Sequence, residues 1–314
     1  MITRRYIRVK AFQAVYAFFQ TDKADLGVIR KNAVTSCDRM LDLYGLMLSL
    51  FTELLQVSRL QIEKNKQKRL PTEEDLNPNL KFVENKLLLL IENNTILKEL
   101  QSVRKIDWAS NGEVIRTMYK KMIKADFYIE YLEDPETSYE KDRVLLIEVF
   151  EKIITSYEPL YEITDAKNMY WYDDIAYVNA TILNTLTLVN SSNKESFLVP
   201  ESAIKNEEDE LFLIDLIVET ISRQEEYSKT IIKLAKNWDF DRIAVSDRIL
   251  MMMSFTEILV MPSIPKKVTI NEYLDMAKSY STEKSHAFIN GIIDKAVKQF
   301  EADGLVNKSG RGLL

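Results

Sequence analysis

The basic side chains at the start of the chain are the residues best suited to hold a ligand. Arg4, Arg5, Arg8 and Lys10 fall within the first ten residues, where no Asp or Glu occurs. At 100° per residue, the three arginines lie within about 100° of one another around a helix. A guanidinium group donates two parallel hydrogen bonds, which suits it to phosphate. We therefore expect this basic end to project past the end of a helical bundle, where a polyanion can reach it.

A solvated basic turn is the alternative explanation for these arginines. It has a physical drawback, because cations near a helix N-terminus oppose the macrodipole. Two further basic sets occur in the middle of the chain: Lys64, Lys66, Lys68 and Arg69, and then Arg116, Lys120, Lys121 and Lys124. The second set repeats at three- or four-residue spacing and so gives one cationic helix face. A solvated helix surface explains both sets, and an extended surface for nucleic acid or a protein partner is the alternative.

Catalytic and metal chemistry finds little support in the sequence. The chain has one histidine, one cysteine and seven glycines, and the glycines are too scattered to form a phosphate-binding loop. A single His286 and a single Cys37 exclude most catalytic triads and zinc sites. The sequence therefore predicts a non-enzyme with no catalytic residue, no metal site and no cofactor.

Composition favours an all-α protein of more than one core. Of the 314 residues, 46% are hydrophobic and 29% are charged, which is an ordinary globular balance. Only 7 Gly and 7 Pro are present, too few to supply the turns of many strands. The net charge of −6 argues against a uniformly positive surface, so any anion site must be a local basic patch.

The expected setting is the cytoplasm, with no membrane contact. No apolar run approaches the roughly 20 residues that span a bilayer. The N-terminus lacks the apolar stretch and small-residue cleavage site of a signal peptide. A single cysteine excludes an intrachain disulfide, so a reducing compartment is the default.

Apolar periodicity and turn residues place the helices. Helices are predicted over residues 3–20, 35–66, 80–107, 113–132, 171–189, 203–222 and 225–236, and over a long apolar stretch that ends at Met261. Thr137 and Glu140 have the spacing to cap a further helix before Pro159.

Three local features of the last third carry further expectations. Thr269 and Glu272 have capping-box spacing after Pro265, which predicts a helix start there. Gly291 falls inside an uninterrupted helical pattern, where glycine costs roughly 1 kcal/mol against alanine, so we expect a packing notch that another backbone approaches. A surface set of ion pairs is expected from Arg242, Asp247 and Arg248.

The order of motifs in the last third resembles the C-terminal half of the NusB family of bacterial transcription antitermination factors. The matching residues are Trp238, Arg242-Ile243, Asp247–Leu250, Glu257–Leu259, Ile264-Pro265, Val268, Ile270–Glu272, Ala277-Lys278, Lys284-Ser285 and Phe288–Asp294. The segment Arg4–Tyr16 is similar to the family's arginine-rich opening helix. The resemblance covers about the first 22 residues and the last hundred, and it does not cover the middle.

The resemblance implies two small helical bundles of NusB type, with the N-terminal one interrupted by a long helical insertion. Residues 1–22 and 204–236 would form the N-terminal bundle, 237–303 the C-terminal bundle and 304–314 a tail. Residues 23–203 would be the insertion, a kind tolerated when its ends lie close together. Whether part of residues 35–64 replaces the family's second helix stays open.

The resemblance also implies a non-catalytic RNA-binding function. The family binds a boxA-type single-stranded leader of ribosomal RNA together with the small-subunit ribosomal protein NusE, and acts on the RNA polymerase elongation complex. By resemblance, the RNA-binding residues are Arg4, Arg5, Arg8, Lys10, Lys284, Ser285 and Phe288. Phe288 either stacks on a base or belongs to the core, and the sequence does not separate the two.

Two rival functions and one question of assembly stay open. The chain could be a protein-interaction scaffold without RNA binding, its work done by the insertion. A NusB-like domain also occurs in ribosomal-RNA cytosine methyltransferases, although that enzyme needs a downstream cofactor-binding domain that these 314 residues lack. The sequence leaves open whether the free protein is a homodimer.

Overall fold

The protein is helical throughout the part of the chain that the structure describes. The computed structural model describes residues 1–192, 195–235 and 240–309, apart from the side chains of 195, 196, 283 and 284. No strand occurs within these ranges, which confirms the expected all-α class. The α-helices are α1 (Arg4–Gln20), α2 (Leu26–Lys66), α3 (Glu73–Leu76), α4 (Lys86–Asn93), α5 (Thr95–Arg104), α6 (Gly112–Met122), α7 (Asp126–Glu133), α8 (Tyr139–Val149), α9 (Pro159–Lys167), α10 (Ile175–Leu188), α11 (Glu195–Leu198), α12 (Glu207–Ser222), α13 (Gln224–Leu234), α14 (Val245–Val260), α15 (Lys266–Tyr280) and α16 (Glu283–Ala302).

The chain divides into two compact units. The terminal unit comprises Ile2–Cys37 and Ile204–Leu314, and the inserted unit comprises Asp38–Ala203 together with Met1. The predicted boundary near residue 22 falls in the turn between α1 and α2, whereas the units divide within α2. The first turns of α2 therefore belong to the terminal unit.

Local capping accounts for several differences between predicted and observed helices. The predicted helix over 80–107 is two helices, because the Asn94 side chain accepts a hydrogen bond from the Leu97 amide and starts α5. In the same way, Ser138 rather than Thr137 caps α8, by accepting from the Lys141 amide. A side chain that caps a helix interrupts a run that periodicity alone leaves continuous.

In the inserted unit, α2 and the segment leading into α6 run in the same direction. The indole Nε1 of Trp108 donates to the Leu46 carbonyl at 2.9 Å. Farther along both segments, burial raises the pKa of Tyr119, and a side-chain hydrogen bond with Ser58 opposes that rise. The ring of Phe51 in α2 stacks on that of Phe150, with the two centroids 6.0 Å apart.

One helix of the described residues, α2, is long and apolar enough to cross a membrane by length and composition alone. However, 83% of its apolar window is buried inside the protein. The core helix of a globular protein passes the same test. Cys37 lies on this helix and is buried.

In the terminal unit, α1 packs against α12 and α14, and α14, α15 and α16 pack on one another. The centre of this packing is α14, on which every residue from Ile249 to Ile258 is buried. Phe255 meets the rings of Tyr227 and Phe300 edge-on at 5.8 and 5.4 Å. Residues of α14 thus contact α13 and α16 as well as α1.

The expected capping box at the start of α15 is wrong. The helix begins at Lys266 after Pro265, and no side-chain hydrogen bond caps it. Thr269 is instead fully buried within the helix, and its hydroxyl donates to the Glu257 carboxylate at 2.7 Å. The hydroxyl that the local pattern predicted to cap α15 therefore bonds to a carboxylate on another helix, α14.

The surface ion-pair set and the packing notch are also wrong. Asp247 is buried and accepts from the Ser281 hydroxyl, while the Arg248 guanidinium lies 4.9 Å from the Phe240 ring centroid. A Cβ built on Gly291 would meet no atom within 4 Å, so nothing approaches that glycine closely. The cost of Gly291 within its helix is therefore not offset by close packing.

Residues beyond α16, predicted as a tail, contact the end of α14. The Ser309 amide donates to the Pro262 carbonyl at 3.0 Å. The Lys308 ammonium donates to the carbonyls of Glu257 and Met261 at 2.9 and 2.8 Å. Burial lowers the pKa of Lys308 to about 8. The ammonium is thus a second donor to two carbonyls at the end of α14 that already accept backbone amides.

Candidate nucleic-acid interface

Arg4 stands in the first turn of α1 and is paired with acids of α12. Its Nε donates to Asp209 Oδ1 at 2.9 Å, and Nη2 reaches the Glu208 carboxylate. The guanidinium carbon also lies 5.5 Å from the Phe212 ring centroid. The side chain keeps 36% of its surface exposed, and Glu208 is 74% exposed. A ligand can therefore reach this pair from solvent.

Arg5 faces α15. Its Nη2 donates to Asp275 Oδ2 at 2.8 Å, and its Nε lies 3.9 Å from Glu272 Oε2. Arg5 and a neighbouring Lys278 together lower the pKa of Asp275, with Lys278 the larger cause. More than half of the Arg5 side chain, 56%, is exposed. Of the arginines predicted to bind RNA, it is the most accessible.

Arg8 is an internal residue, which corrects the expectation that it projects from the bundle. Its Nε and Nη2 donate to the two oxygens of Glu257 at 2.7 and 2.8 Å, and its side chain is only 4% exposed. Glu257 also accepts from Thr269 Oγ1 at 2.7 Å and from the Tyr273 hydroxyl at 3.3 Å. Burial lowers the pKa of Arg8, but the bonds and charge of Glu257 outweigh it, so the pKa is raised. This bidentate pair joins α1 to α14 and α15.

Lys10 is also internal, with 1% of its surface exposed. Its ammonium lies 5.9 Å from the Tyr6 ring centroid. The acids that receive Arg4, Arg5 and Arg8 lie on other helices, so no local pattern could have predicted these partners.

The second predicted region is the start of α16. Thr282 caps the helix by accepting from the Ser285 amide at 3.3 Å, and the two hydroxyls lie 3.0 Å apart. Phe288 is partly exposed, one residue before the fully buried Ile289. The Lys284 side chain lies outside the described residues, as does Trp238 of the matching motif.

The two predicted regions lie along the same helix, α15. Arg5 reaches Asp275 in α15, whereas Phe12 packs on Tyr280 at the end of α15, with ring centroids 4.7 Å apart. Arg5 and Phe12 are separated by about 10 Å along α1, at 1.5 Å per residue. Ser281 and the start of α16 follow Tyr280 directly. The basic end of α1 and the start of α16 are thus about two helical turns apart.

Sequence reasoning missed an aromatic cluster where α1 packs on the end of α15. Tyr16 is 40% exposed, and its ring lies 6.2 Å from Phe12, which in turn packs on the partly exposed Tyr280. Rings of this kind offer faces on which bases stack. The signal available in the sequence was Tyr280 itself, immediately before the segment predicted to bind RNA.

The arrangement suits anion exchange rather than catalysis. Exposed ion pairs contribute about 0–1 kcal/mol, so a phosphate can replace a carboxylate on Arg4 or Arg5 at low cost. Replacing the buried partner of Arg8 would leave a charge uncompensated, which is far more costly. Within the described ranges, no group of three or more His, Cys, Asp or Glu is placed to hold a metal ion.

Fold and site together define an all-α protein whose terminal helices form one unit around a buried helix, with a helical unit inserted between them. The family model described as the NusB family matches residues 178–298. The chain is 38% identical over 105 residues to the transcription antitermination protein NusB of Acetivibrio thermocellus, covering 33% of this chain and 72% of that protein. This chain belongs to the NusB family.

Two further relatives carry the same name. The NusB of Chloroherpeton thalassium is 36% identical over 117 residues, which cover 37% of this chain and 56% of that protein. The NusB of Salinibacter ruber is 42% identical over 103 residues, which cover 33% of this chain and 64% of that protein. The chain thus spans less than two thirds of the length of these two relatives. No solved structure gives a significant match to the chain.

Proposed function

We propose that this protein is a non-enzymatic, cytoplasmic RNA-binding factor that suppresses transcription termination. It binds a boxA-like single-stranded leader of ribosomal RNA together with NusE, and it acts on the elongating RNA polymerase. The observation that carries the proposal is membership of the NusB family, three of whose members above are named transcription antitermination proteins.

The proposed RNA site begins with the exposed cations at the start of α1. Arg4 and Arg5 exchange the surface carboxylates of Glu208 and Asp275 for RNA phosphates, since each exposed ion pair is worth under about 1 kcal/mol. Arg4 keeps its bond to the buried Asp209. Arg8 and Lys10 act as positioning residues that hold α1 against its neighbours. Lys284, Ser285 and Phe288 extend the site toward the start of α16.

Salt-dependent binding tests the arginine assignment. The double variant Arg4→Gln, Arg5→Gln is compared with Arg30→Gln, Arg223→Gln, which removes the same charge from one exposed and one partly exposed, ion-paired arginine elsewhere in the terminal unit. Fluorescence anisotropy with a labelled ribosomal leader RNA gives Kd over a range of salt concentrations. Losing two phosphate contacts lowers the slope of log Kd against log salt by about 1.4, at about 0.7 per contact on a single strand. A slope equal to that of the control removes both arginines from the site.

Phe288→Leu tests the stacking assignment. Removing one base–aromatic stack is expected to weaken RNA binding by about 1–3 kcal/mol, or roughly 5- to 150-fold, without changing the salt slope. Phe18→Leu, also a partly exposed phenylalanine of the terminal unit, is the matched control. Equal affinities for the two variants would place Phe288 in the core alone.

One observation favours a second candidate, a protein-interaction scaffold without RNA binding. Each of the three predicted arginines already has a carboxylate partner within the terminal unit. A pull-down of the full chain from lysate, with and without nuclease, separates the two functions. When RNA is digested, an RNA-dependent factor releases those partners, NusE and RNA polymerase, that are held to it through RNA. A scaffold keeps its partners after digestion and does not bind leader RNA.

A further inference from the structure

The inserted unit carries an exposed basic surface that its own fold does not use. It consists of Arg116, Lys120, Lys121 and Lys124, here called the α6 face, and all four residues are exposed. The opposite side of α6 is the buried one, with Ile115, Met118 and Met122 in the core. None of the four cations forms an ion pair within the described residues.

The end of α2 extends this basic surface. Contacts from Leu46 to Trp108 and from Ser58 to Tyr119 set α2 and α6 side by side in the same direction. The residues that follow Ser58 and Tyr119 therefore carry their cations at the same end of the pair. On α2 these cations are Lys64 and Lys66, followed by Arg69, and all are exposed. Lys66 pairs with Glu63 at 3.3 Å, while Lys64 and Arg69 have no ion pair within the described part of the chain.

An aromatic ring lies within the α6 face. The Lys121 ammonium is 5.0 Å from the ring centroid of Tyr157, which is partly exposed. Cations interleaved with an accessible ring are the combination by which proteins bind single strands, with charge on the phosphates and a ring under a base. A purely solvated lysine face does not need the ring.

Helix electrostatics explains only part of this surface. Cations in the last turn of a helix are favoured by the macrodipole, which accounts for Lys120 and Lys121. Arg116 lies in the first half of α6, where the macrodipole does not favour a cation. Glu113 is the only acid within this helix. On the neighbouring segment, by contrast, Lys152 has an acid one helical turn away, Glu148 at 2.7 Å.

Carboxylates set the limit of the surface. Lys152, next to α6, is surrounded by Glu148, Glu151 and Glu130, which raise its pKa. That side of the inserted unit is electrically mixed, whereas the cations of the α6 face, with Lys64 and Arg69 at the end of α2, form no ion pair within the described residues. A confined basic patch on an acidic protein is the footprint of a polyanion site.

We infer that the α6 face, with the end of α2, binds the sugar-phosphate backbone of single-stranded RNA. The inference rests on the proposed function, because it names a second contact surface for that class of ligand. Arg116, Lys120 and Lys124 contact phosphates, and Tyr157 stacks beside them. The contacts are with the backbone and one ring face, so they carry little sequence preference.

The test uses the full chain and substitutions that remove a positive charge from exposed positions. The triple variant Arg116→Gln, Lys120→Gln, Lys124→Gln is compared with Arg30→Gln, Lys86→Gln, Lys98→Gln, which removes the same residue types from exposed sites. Anisotropy with labelled single-stranded leader RNA is measured across salt. Loss of three contacts lowers the slope of log Kd against log salt by about 2, at about 0.7 per contact. The control keeps the wild-type slope, and circular dichroism confirms that both variants fold.

The same titration on Arg4→Gln, Arg5→Gln separates the two proposals. If the slope of log Kd against log salt decreases for the α6 variant and not for the α1 variant, the inference stands and the proposed site at the start of α1 is refuted. If only the α1 variant loses slope, the α6 inference is overturned while the proposed function stands. Wild-type protein that does not bind the RNA overturns both.

A competitor identifies the class of polyanion. Poly-L-glutamate of matched charge is titrated against the wild type and the Tyr157→Leu variant. We expect Tyr157→Leu to weaken RNA binding several-fold and to leave poly-L-glutamate binding unchanged. Poly-L-glutamate binding as tight as that of RNA, with no effect of Tyr157→Leu on either, overturns RNA in favour of an acidic protein.

Discussion

The two basic regions of this protein differ in what surrounds their cations. At the start of α1, Arg4, Arg5 and Arg8 all have carboxylate partners, and of the three only Arg8 is internal. On the α6 face, four exposed cations form no ion pair within the described residues. The sequence shows two similar basic runs. The structure separates a region where each arginine has a carboxylate partner from one where, within the described residues, the cations form no ion pair.

Removing the carboxylate partner of Arg8 should destabilise the protein more than removing that of Arg4. Glu257→Gln keeps the shape of the side chain but leaves a buried guanidinium without a counter-charge. We expect the free energy of unfolding, measured in urea, to fall by about 3–5 kcal/mol. Glu208→Gln removes the exposed partner of Arg4 and should cost under about 1 kcal/mol. Equal costs would mean that burial does not distinguish these pairs.

A smaller effect is expected from the hydroxyl that completes the Glu257 site. Thr269→Val conserves volume but removes a buried donor to that carboxylate. The expected loss is about 1–3 kcal/mol in the same urea measurement. Thr230→Val is the control, because that hydroxyl bonds only a backbone carbonyl at the surface. If both variants unfold at the same urea concentration, the Thr269 bond contributes nothing.

Two helical glycines sharpen the comparison between the units. Gly291→Ala in the terminal unit should raise the free energy of unfolding by about 1 kcal/mol, since an added Cβ meets nothing within 4 Å. Gly45→Ala in the inserted unit places that Cβ 3.1 Å from Leu100 Cδ1, so its gain should be smaller or negative. Thermal unfolding of both variants checks the order. A larger gain at Gly45 would contradict it.

Lys308 is a third kind of cation, half-buried on carbonyls rather than carboxylates. Its pKa falls to about 8 in the folded protein, below its ordinary value of 10.5. Between these values the unfolded chain binds more protons than the folded one, so stability rises with pH. The difference in free energy of unfolding between wild type and Lys308→Met should therefore increase from pH 8 to pH 10. Solvent exposure keeps that increase under about 1 kcal/mol, and a constant difference would refute the shift.

The smallest expected effect on stability is at the α6 face. Arg116→Gln, Lys120→Gln and Lys124→Gln together should change the free energy of unfolding by no more than about 0.5 kcal/mol per substitution, because these side chains have no ion pair to lose. Urea denaturation of the triple variant checks this. A loss of several kcal/mol would show that the face serves the fold.

Local sequence predicted the helices well and their ends less well. Periodicity gave α1 and the all-α class, because both depend on neighbours three and four residues away. The roles of Arg8 and Thr269 depend on Glu257, which is 249 and 12 residues distant. No local pattern encodes such a partner. Spacing alone predicted that Thr269 caps a helix and that Arg8 projects into solvent. Both predictions are wrong because the two side chains bond to Glu257 instead.

The Arg8–Glu257 pair has a consequence for synthesis on the ribosome. Its two members are 249 residues apart, so at about 5–20 residues per second roughly 12–50 s pass before the partner of Arg8 has been made. During that interval the first helix has no internal acceptor for its guanidinium and keeps it hydrated. The inserted unit, which is contiguous from Asp38 to Ala203, emerges complete in the meantime. The inserted unit can therefore fold before the terminal unit, which contains both ends of the chain, has been fully synthesised.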